Sequence, residues 1–262
     1  MAINNTNLEL KNKRVNEMNN NIHETQMKII EYKDASHIIV EFQDEYKTKV
    51  KTRYEQFKKG WVANPYDKTV YNTGYLGEGI YNPKNNKNIY IVWGSMIKRC
   101  YDNDFHKKHT TYKGCTVCEE WLNFQAFGKW YETNFYQIKD EVMALDKDIL
   151  FKGNKIYSPS TCVFVPQDIN SLFVRKENYR GNTLIGVSYH KRDKVYQSQC
   201  NIKIGNKNKS IYLGSFNTEL EAHHKYKTYK ENLIKKVAND YKSKIPENLY
   251  NAMINYKIEM TD

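Results

Sequence analysis

The C-terminal part of the chain alternates with the period of a β-sheet and then changes to the period of a helix. Three short runs follow one another from residue 186: GVSYHKR, VYQSQCNIKI and SIYLGSF. They predict three strands, with the polar run GNKNK as the second turn. Thr218 and Glu221 then have the spacing of a capping box, which opens a helix. An apolar stripe runs along that helix on Ala222, Tyr226, Tyr229, Leu233 and Val237. This pattern predicts a complete sheet-plus-helix unit.

The positive charge of the chain is concentrated in the same part. The 262 residues carry a formal net charge of +11. Residues 175–242 contain fifteen Lys and Arg against six Asp and Glu, which is a surplus of nine. A polyanion is the natural partner of such a surplus. Because nearly all of the excess lies in one quarter of the chain, it favours a dedicated binding module over diffuse surface charge.

The sequence also indicates a compartment. No apolar run approaches the ~20 residues that a membrane-spanning helix needs, and there is no signal-peptide core. Five cysteines in a chain without a secretory signal indicate reduced thiols in a cytosol. We therefore expect a cytoplasmic protein that binds neither a membrane nor a small-molecule cofactor.

Composition and periodicity divide the chain into five segments. The N-terminus is Asn-rich and polar, and the run PKNNKN has the composition of a linker. The predicted segments are a polar, flexible tail (1–26), a small β-rich domain (27–82), a central domain with two apolar helices (88–174), the sheet-plus-helix unit (184–242) and a C-terminal helix (243–262). The predicted fold class is therefore α+β.

Residues 145–170 of the central domain read LDKDILFKGNKIYSPSTCVFVPQDIN. An acidic residue follows an apolar one, a Gly-Asn turn and a short β-rich run come next, and a Pro opens a helical segment that ends in Asn. Together with WGSMIKRCYDNDF and TYKGCTVCEEWLNFQAFGKW before it, this segment resembles bacteriophage proteins described as HNH-type homing endonucleases. The stretches MKIIEY, VEF, YEQFKKGWVANP and GYLGEG are similar to the same proteins, so the resemblance covers nearly all of the chain after residue 26.

The resemblance to HNH proteins implies a ββα finger that holds one divalent metal, Mg²⁺ or Mn²⁺. On that pattern Asp146 is a metal ligand at the end of the first strand, and Asn170 is a second ligand on the helix. Asn154 lies in the loop between the strands. Lys147 occupies the position of the general base, where these proteins have a histidine.

Because residue 147 is a lysine, the sequence does not identify the general base. An ordinary lysine is protonated at neutral pH and cannot take a proton, although it can stabilise the charge of a phosphate. Other side chains can supply the missing base, namely Asp148, Glu120, His106 and His109. Asp146 and Lys147 can also be no more than a surface ion pair that caps a hairpin. The finger is then a scaffold without catalysis.

The C-terminal unit resembles an Apetala2-type DNA-binding domain. The resemblance lies in Gly186-Val187, in Tyr196, in YLGSF and in the start of the helix, TELEA. It implies that the three-stranded sheet lies in the major groove of duplex DNA and that the helix packs behind the sheet. Arg192 and Gln199 are the candidates for base edges because both make bidentate hydrogen bonds. The candidate phosphate contacts are Lys191, Lys194, Lys203, Lys207 and Lys209.

Four cysteines lie within the predicted central domain. Cys115 and Cys118 have the Cys-x-x-Cys spacing of metal ligands, and Cys100 and Cys162 can complete a structural zinc site. Free cysteines are also ordinary core residues, and Cys100 falls on the apolar face of its helix. Both interpretations remain open.

Taken together, the sequence predicts a phage-encoded, sequence-specific DNA-binding protein of the host cytoplasm. The leading hypothesis is a metal-dependent DNA endonuclease of homing type. The alternative, from a different functional class, is a non-catalytic regulator that retains an inactive HNH scaffold.

Overall fold

A computed structural model describes residues 13–173, 183–204 and 207–260, the side chains of 203, 204, 207 and 208 excepted. The fold is mixed α and β with several small sheets, which confirms the predicted α+β class. The chain divides into two compact units, Met1–Tyr131 and Glu132–Asp262. Within the described ranges, no helix is long and apolar enough to cross a membrane.

The first unit begins with a four-stranded antiparallel sheet. Its strands are β1 (Met18–Asn20), β2 (Gln26–Asp34), β3 (His37–Phe42) and β4 (Lys49–Thr52), which lie in sequence order. Val40 pairs with Ile29 on one side and with Val50 on the other, so that one face of the sheet is apolar. The short helix α1 (Tyr54–Lys58) packs Phe57 into this core.

Strand β1 lies inside the segment 1–26 that the sequence predicts as a flexible tail. The asparagines that suggest disorder make specific hydrogen bonds instead. The Asn19 amide donates to the carbonyl oxygen of Phe57 at 2.6 Å, and the buried Asn21 donates to Asp67 at 2.6 Å. The order of this segment therefore depends on partners about 40 residues away in sequence, which composition does not reveal. Residues 1–12 of the predicted tail lie outside the described residues.

The rest of the first unit is mainly helical. Its elements are α2 (Lys87–Tyr101), α3 (Asn103–Lys108), a 3-10 turn (Thr110–Tyr112), β5 (Thr116–Val117), a second 3-10 turn (Glu119–Leu122) and α4 (Phe124–Asn134). The predicted apolar face of α2 is buried, with Trp93 at its centre. The indole N–H of Trp93 donates to the carbonyl oxygen of Trp121 at 2.7 Å, and its ring lies 5.2 Å from that of Phe124. Aromatic side chains thus join the two helices.

The second unit contains a strand, a long loop, a strand and a helix in succession. These elements are β6 (Met143–Asp146), the two-residue strand β7 (Ile156–Tyr157) in the loop, β8 (Val163–Pro166) and α5 (Gln167–Phe173). Strands β6 and β8 are antiparallel, with Asp146 opposite Val163 and Met143 opposite Pro166. Helix α5 begins directly after Pro166 and packs against both strands. A ββα arrangement results.

A three-stranded antiparallel sheet follows. Its strands are β9 (Val187–His190), β10 (Val195–Ile204) and β11 (Lys207–Phe216), with β10 in the centre. Helix α6 (Glu219–Tyr241) opens with the predicted capping box: Thr218 accepts from the N–H of Glu221, and Glu221 accepts from the N–H of Thr218. Gly186 has φ +79° and lies so close to the ring of Tyr226 that no side chain fits there.

Helix α6 contributes to two apolar cores. Its first half packs Tyr226 against Cys200 of the three-stranded sheet and Ile258 of the C-terminal segment. Its second half packs Ile234 and Ala238 into the core of the ββα elements and α7 (Glu247–Ile254). Besides His223, the buried positions of the helix recur every four residues, and they include a lysine: Ala222, Tyr226, Lys230, Ile234 and Ala238. The predicted positions Tyr229, Leu233 and Val237 border this row and are half-buried.

Candidate functional site

The loop after β6 places three charged side chains in succession. Asp146 ends the strand, and its Oδ1 accepts from the backbone N–H groups of Asp148 and Ile149, both at 2.8 Å. These two bonds fix the carboxylate to the start of the loop. Burial, and then the charge of Asp148, raise the pKa of Asp146 to about 6, although the two N–H bonds act in the opposite direction. Asp146 is therefore an oriented carboxylate that loses its proton just below neutral pH.

Lys147 turns its side chain into the protein and is only 7% exposed. Its ammonium donates to the carbonyl oxygen of Asn154 at 2.9 Å and to Asp148 Oδ2 at 3.1 Å. It also lies 5.9 Å from the centre of the Tyr157 ring. Lys147 forms an ion pair with Asp148, the carboxylate that follows it, whereas the sequence suggested a surface pair with Asp146.

Asn154 joins the two ends of the loop. Its amide donates to the carbonyl oxygens of Lys147 and Ile156, both at 2.7 Å, and its oxygen accepts from the N–H of Ile156 at 3.2 Å. Gly153 beside it has φ +81°, as a tight turn requires. The structure thus gives Asn154 a clear part in holding Lys147 and the loop in place.

The remaining candidates are distributed over both units. Asn170 is half-buried on α5, the helix that packs against the strand ending at Asp146. Asp148 keeps 45% of its side chain exposed. Glu120, His106 and His109 belong to the first unit, where His106 Nε2 lies 2.8 Å from the carbonyl oxygen of Arg99. The loop after β6 in the second unit therefore brings four of the candidates together, namely Asp146, Lys147, Asp148 and Asn154.

The candidate metal ligands in this loop and on α5 would all bind through oxygen atoms. Carboxylate and amide oxygens are the ligands that Mg²⁺ and Mn²⁺ prefer, so Asp146, Asp148 and Asn170 are chemically suited to such an ion. Among the described residues, no group of three or more His, Cys, Asp and Glu side chains is placed to hold a metal. A metal site here therefore requires a further oxygen ligand, such as the amide of Asn170.

All five cysteines are free thiols. Cys100, Cys115 and Cys162 are buried, and burial raises the pKa of the partly exposed Cys118. Cys100, Cys115 and Cys118 belong to the first unit and Cys162 to the second. Structural zinc on these four residues stays a prediction.

The three-stranded sheet has one covered face and one open face. Ser198 and Cys200 of β10 are buried on the side of α6, whereas Gln199 and Asn201 are exposed on the other side. On β11, Tyr212 lies directly opposite Gln199, and Ser210 lies opposite Asn201. A one-residue bulge after Ser198 increases the local twist of this pair of strands. The open face is therefore polar and aromatic, with Gln199 near its centre.

Basic side chains lie at the ends of this face. Lys191, Arg192 and Lys194 form the exposed loop between β9 and β10, in which Arg192 donates to Asp193 at 2.8 Å. Lys209 is exposed on β11 but pairs with Ile202, so it lies on the other face of the sheet, beside the same turn. Lys203 and Lys207 lie on the strands at the other turn, and their side chains lie outside the described part.

The exposed tyrosine of this face, Tyr212, was not among the predicted contact residues, and it is 62% exposed. Tyr189, which is 45% exposed, pairs with Tyr196 and therefore lies on the other face of the sheet, where the two rings are 5.0 Å apart. The Tyr212 hydroxyl lies 2.8 Å from the Ser215 hydroxyl, so the ring has a fixed tilt. The alternation of residues along β11 predicts that Tyr212 is exposed. Tyr212 lies between Ile211 and Leu213, and Leu213 packs against the core under α6.

Comparison with known proteins adds no relative: no protein-family model, no curated protein and no solved structure matches this chain.

Proposed function

We propose that the chain is a sequence-specific DNA-binding protein of phage origin, and that it is a metal-dependent DNA endonuclease of homing type. The observation that carries the proposal is the open face of the three-stranded sheet. It presents Gln199 beside the exposed Tyr212 and Asn201, with the basic loop of Lys191, Arg192 and Lys194 at the end of the sheet, while α6 covers the other face.

The open face suits the major groove of DNA in shape and chemistry. That groove is wide enough for a β-ribbon, and each base pair presents a distinct pattern of donors and acceptors there. Gln199 can make a bidentate contact with adenine, and Arg192 can do so with guanine once it leaves Asp193. The lysines at the ends of the strands are suited to phosphates, and Tyr212 to sugars and thymine methyl groups. In this proposal the C-terminal unit is Apetala2-like.

The loop after β6 is the proposed nuclease site, an HNH-like finger. A divalent ion at Asp146 and Asn170 would act as a Lewis acid on a phosphate oxygen. Asp148, which is half exposed, is the carboxylate of this loop best placed to take a proton from water. Lys147 is assigned an organising role, because its ammonium holds Asn154 and Asp148 and has no lone pair to accept a proton.

The alternative function is a DNA-binding regulator without nuclease activity. The burial of Lys147 favours it, because the position of the usual histidine is occupied by a side chain that stabilises the loop. Both proposals share the same DNA-binding face.

Cleavage of DNA separates the two. Purified protein is incubated with plasmid DNA that contains a selected binding site, with Mg²⁺, with Mn²⁺ and with EDTA. Metal-dependent nicking that Asp146→Ala abolishes, and that the matched surface variant Asp240→Ala retains, supports the endonuclease. Tight binding with no cleavage in either metal supports the regulator.

A further inference from the structure

A groove of about 620 Å³ lies on the sheet of the first unit. It is formed by β2, β3 and β4 together with the start of α1, from Glu31 at one end to Gln56 at the other. Its size falls in the range of ligand-binding clefts, ~300–1,000 Å³.

Two irregularities in β2 shape this groove. Ile29 pairs with Val40 and Glu31 with Ile39, so that Ile30 is an extra residue. Tyr32 then pairs with Ile38, and Asp34 with His37, so that Lys33 is a second extra residue. Bulges of this kind bend a strand and redirect its side chains. They explain how Lys33, near the end of a hairpin, comes to line the same groove as Lys51 of β4.

The lining of the groove is mainly basic. Lys33, Lys51 and Arg53 are three full positive charges, and Glu31 is the one carboxylate among the lining residues. His37 also lines it and lies 2.9 Å from Asp34. Ser36, Thr52 and Gln56 add hydrogen-bond donors, and Ile39 supplies an apolar floor.

The basic side chains in the groove differ from several of those around it. Outside the groove, Lys49 pairs with Glu41 at 3.7 Å, Lys58 with Glu17 at 3.1 Å and Lys59 with Glu55 at 2.6 Å. By contrast, no carboxylate of the described ranges lies within 4.0 Å of Lys33, Lys51 or Arg53. These three positive charges, which line one groove, are therefore available to an anionic ligand.

We propose that this groove binds phosphate groups of the DNA backbone. Arg53 and Lys51 contact phosphate oxygens directly, Lys33 contributes a third charge, and Ile39 packs against a sugar. The proposal rests on the proposed function in that DNA is the partner. It assigns the first unit a contact that is independent of base sequence, because contacts to phosphates carry no sequence information.

The test measures how the affinity of the full chain for duplex DNA depends on salt. The Lys51→Ala/Arg53→Ala variant is compared with Lys49→Ala/Lys58→Ala, which removes two paired charges from the same sheet and helix. Each phosphate contact contributes about −0.9 to the slope of log affinity against log salt. We expect the groove variant to lower the slope by about 2 in magnitude, and the control to leave it unchanged. The preference for cognate over scrambled DNA should stay the same.

The outcomes separate this proposal from the proposed function. If the groove variant binds like its control while Gln199→Ala loses sequence preference, the groove proposal is wrong and the proposed function stands. If the groove variant weakens binding but Gln199→Ala changes nothing, the assignment of the C-terminal sheet is wrong. A wild-type protein that binds no DNA contradicts both.

A free nucleotide is the other source of phosphate. Labelled ATP is therefore titrated against the full chain with and without excess duplex DNA. ATP that binds one-to-one, depends on Lys51 and Arg53 and is not displaced by DNA would contradict the proposal. The charge reversal Lys51→Glu/Arg53→Glu should reduce DNA affinity further than the alanine variant, and its melting temperature shows that it is folded.

Discussion

Lys147, at the position where the sequence resemblance implies a histidine, has a structural role in the loop. Its ammonium and the Asn154 amide form a reciprocal pair of contacts across the loop, each donating to the other residue's backbone carbonyl oxygen. The sequence shows that a lysine replaces the usual histidine. It cannot show that the side chain points inward, because that depends on its two acceptors, the carboxylate of the next residue, Asp148, and the carbonyl oxygen of Asn154 seven residues further along.

Replacing this lysine should destabilise the second unit. Lys147→Ala leaves the carbonyl oxygen of Asn154 without its donor and Asp148 without its cation. We expect the free energy of unfolding to fall by about 1–3 kcal/mol in urea denaturation. The exposed Lys139→Ala should change it by less than about 0.5 kcal/mol. Equal stability of the two variants would show that the contacts of Lys147 do not hold the loop.

Asp146 predicts a pH dependence of stability. Its pKa is raised from 3.8 to about 6, so the folded state keeps the proton to a higher pH than the unfolded state does. The free energy of unfolding therefore falls as the pH rises from about 4 to about 6, by up to about 3 kcal/mol. Asp146→Asn keeps an oxygen for the two N–H groups and removes the charge. We expect this variant to match the wild type near pH 4 and to be more stable at pH 7; the same difference at both pH values would contradict the assignment.

At the scale of elements, patterning and caps are the most predictable features. The capping box of α6, the three C-terminal strands and the apolar face of α2 all follow from local spacing. The face that α6 buries is less predictable, since it includes Lys230. Burial lowers the pKa of this lysine, and Cys200 opposes the shift. Hydrophobic periodicity does not predict a lysine among buried apolar positions. The burial of Lys230 depends on the core that surrounds it.

Helix α6 should couple the three-stranded sheet to the ββα elements. Because Ile234 belongs to the ββα core and Tyr226 to the sheet core, a change at one end is transmitted along the same helix. Ile234→Ala should cost about 2–5 kcal/mol and should lower the hydrogen-exchange protection of β8 and β10 together. The exposed Lys236→Ala serves as the control. Loss of protection in β8 alone would show that the two cores open independently.

The C-terminal segment should protect the core under the sheet. Ile258 is buried against Cys200 and Tyr226, and its N–H donates to Glu231 at 2.9 Å. Ile258→Ala opens a cavity there, which should cost about 2–4 kcal/mol and allow a thiol reagent to reach Cys200. The half-exposed Met260→Ala should leave the rate of thiol modification unchanged. If both variants react like the wild type, Ile258 does not cover this thiol.

For the whole molecule, the charge distribution predicts a partner better than it predicts a mechanism. The surplus between residues 175 and 242 predicts a polyanionic partner, and in the proposed function the open face binds DNA. The groove of the first unit was not predictable, because its three basic residues come from two strands and a loop, and nearby lysines in similar sequence are ion-paired. The proposed catalysis depends on the oxygen atoms of Asp146, Asp148 and Asn170. The sequence does not show how these atoms are placed to bind a metal.

Selection of bound duplexes from a random DNA library tests the central claim most directly. The full chain should enrich one motif, and Gln199→Ala should lose preference at one base position, by about 1–3 kcal/mol, while retaining salt-dependent affinity. Lys209→Ala should keep the motif and bind all sequences more weakly. An unchanged motif with Gln199→Ala, or no enrichment by the wild type, would contradict sequence reading by the open face of the sheet.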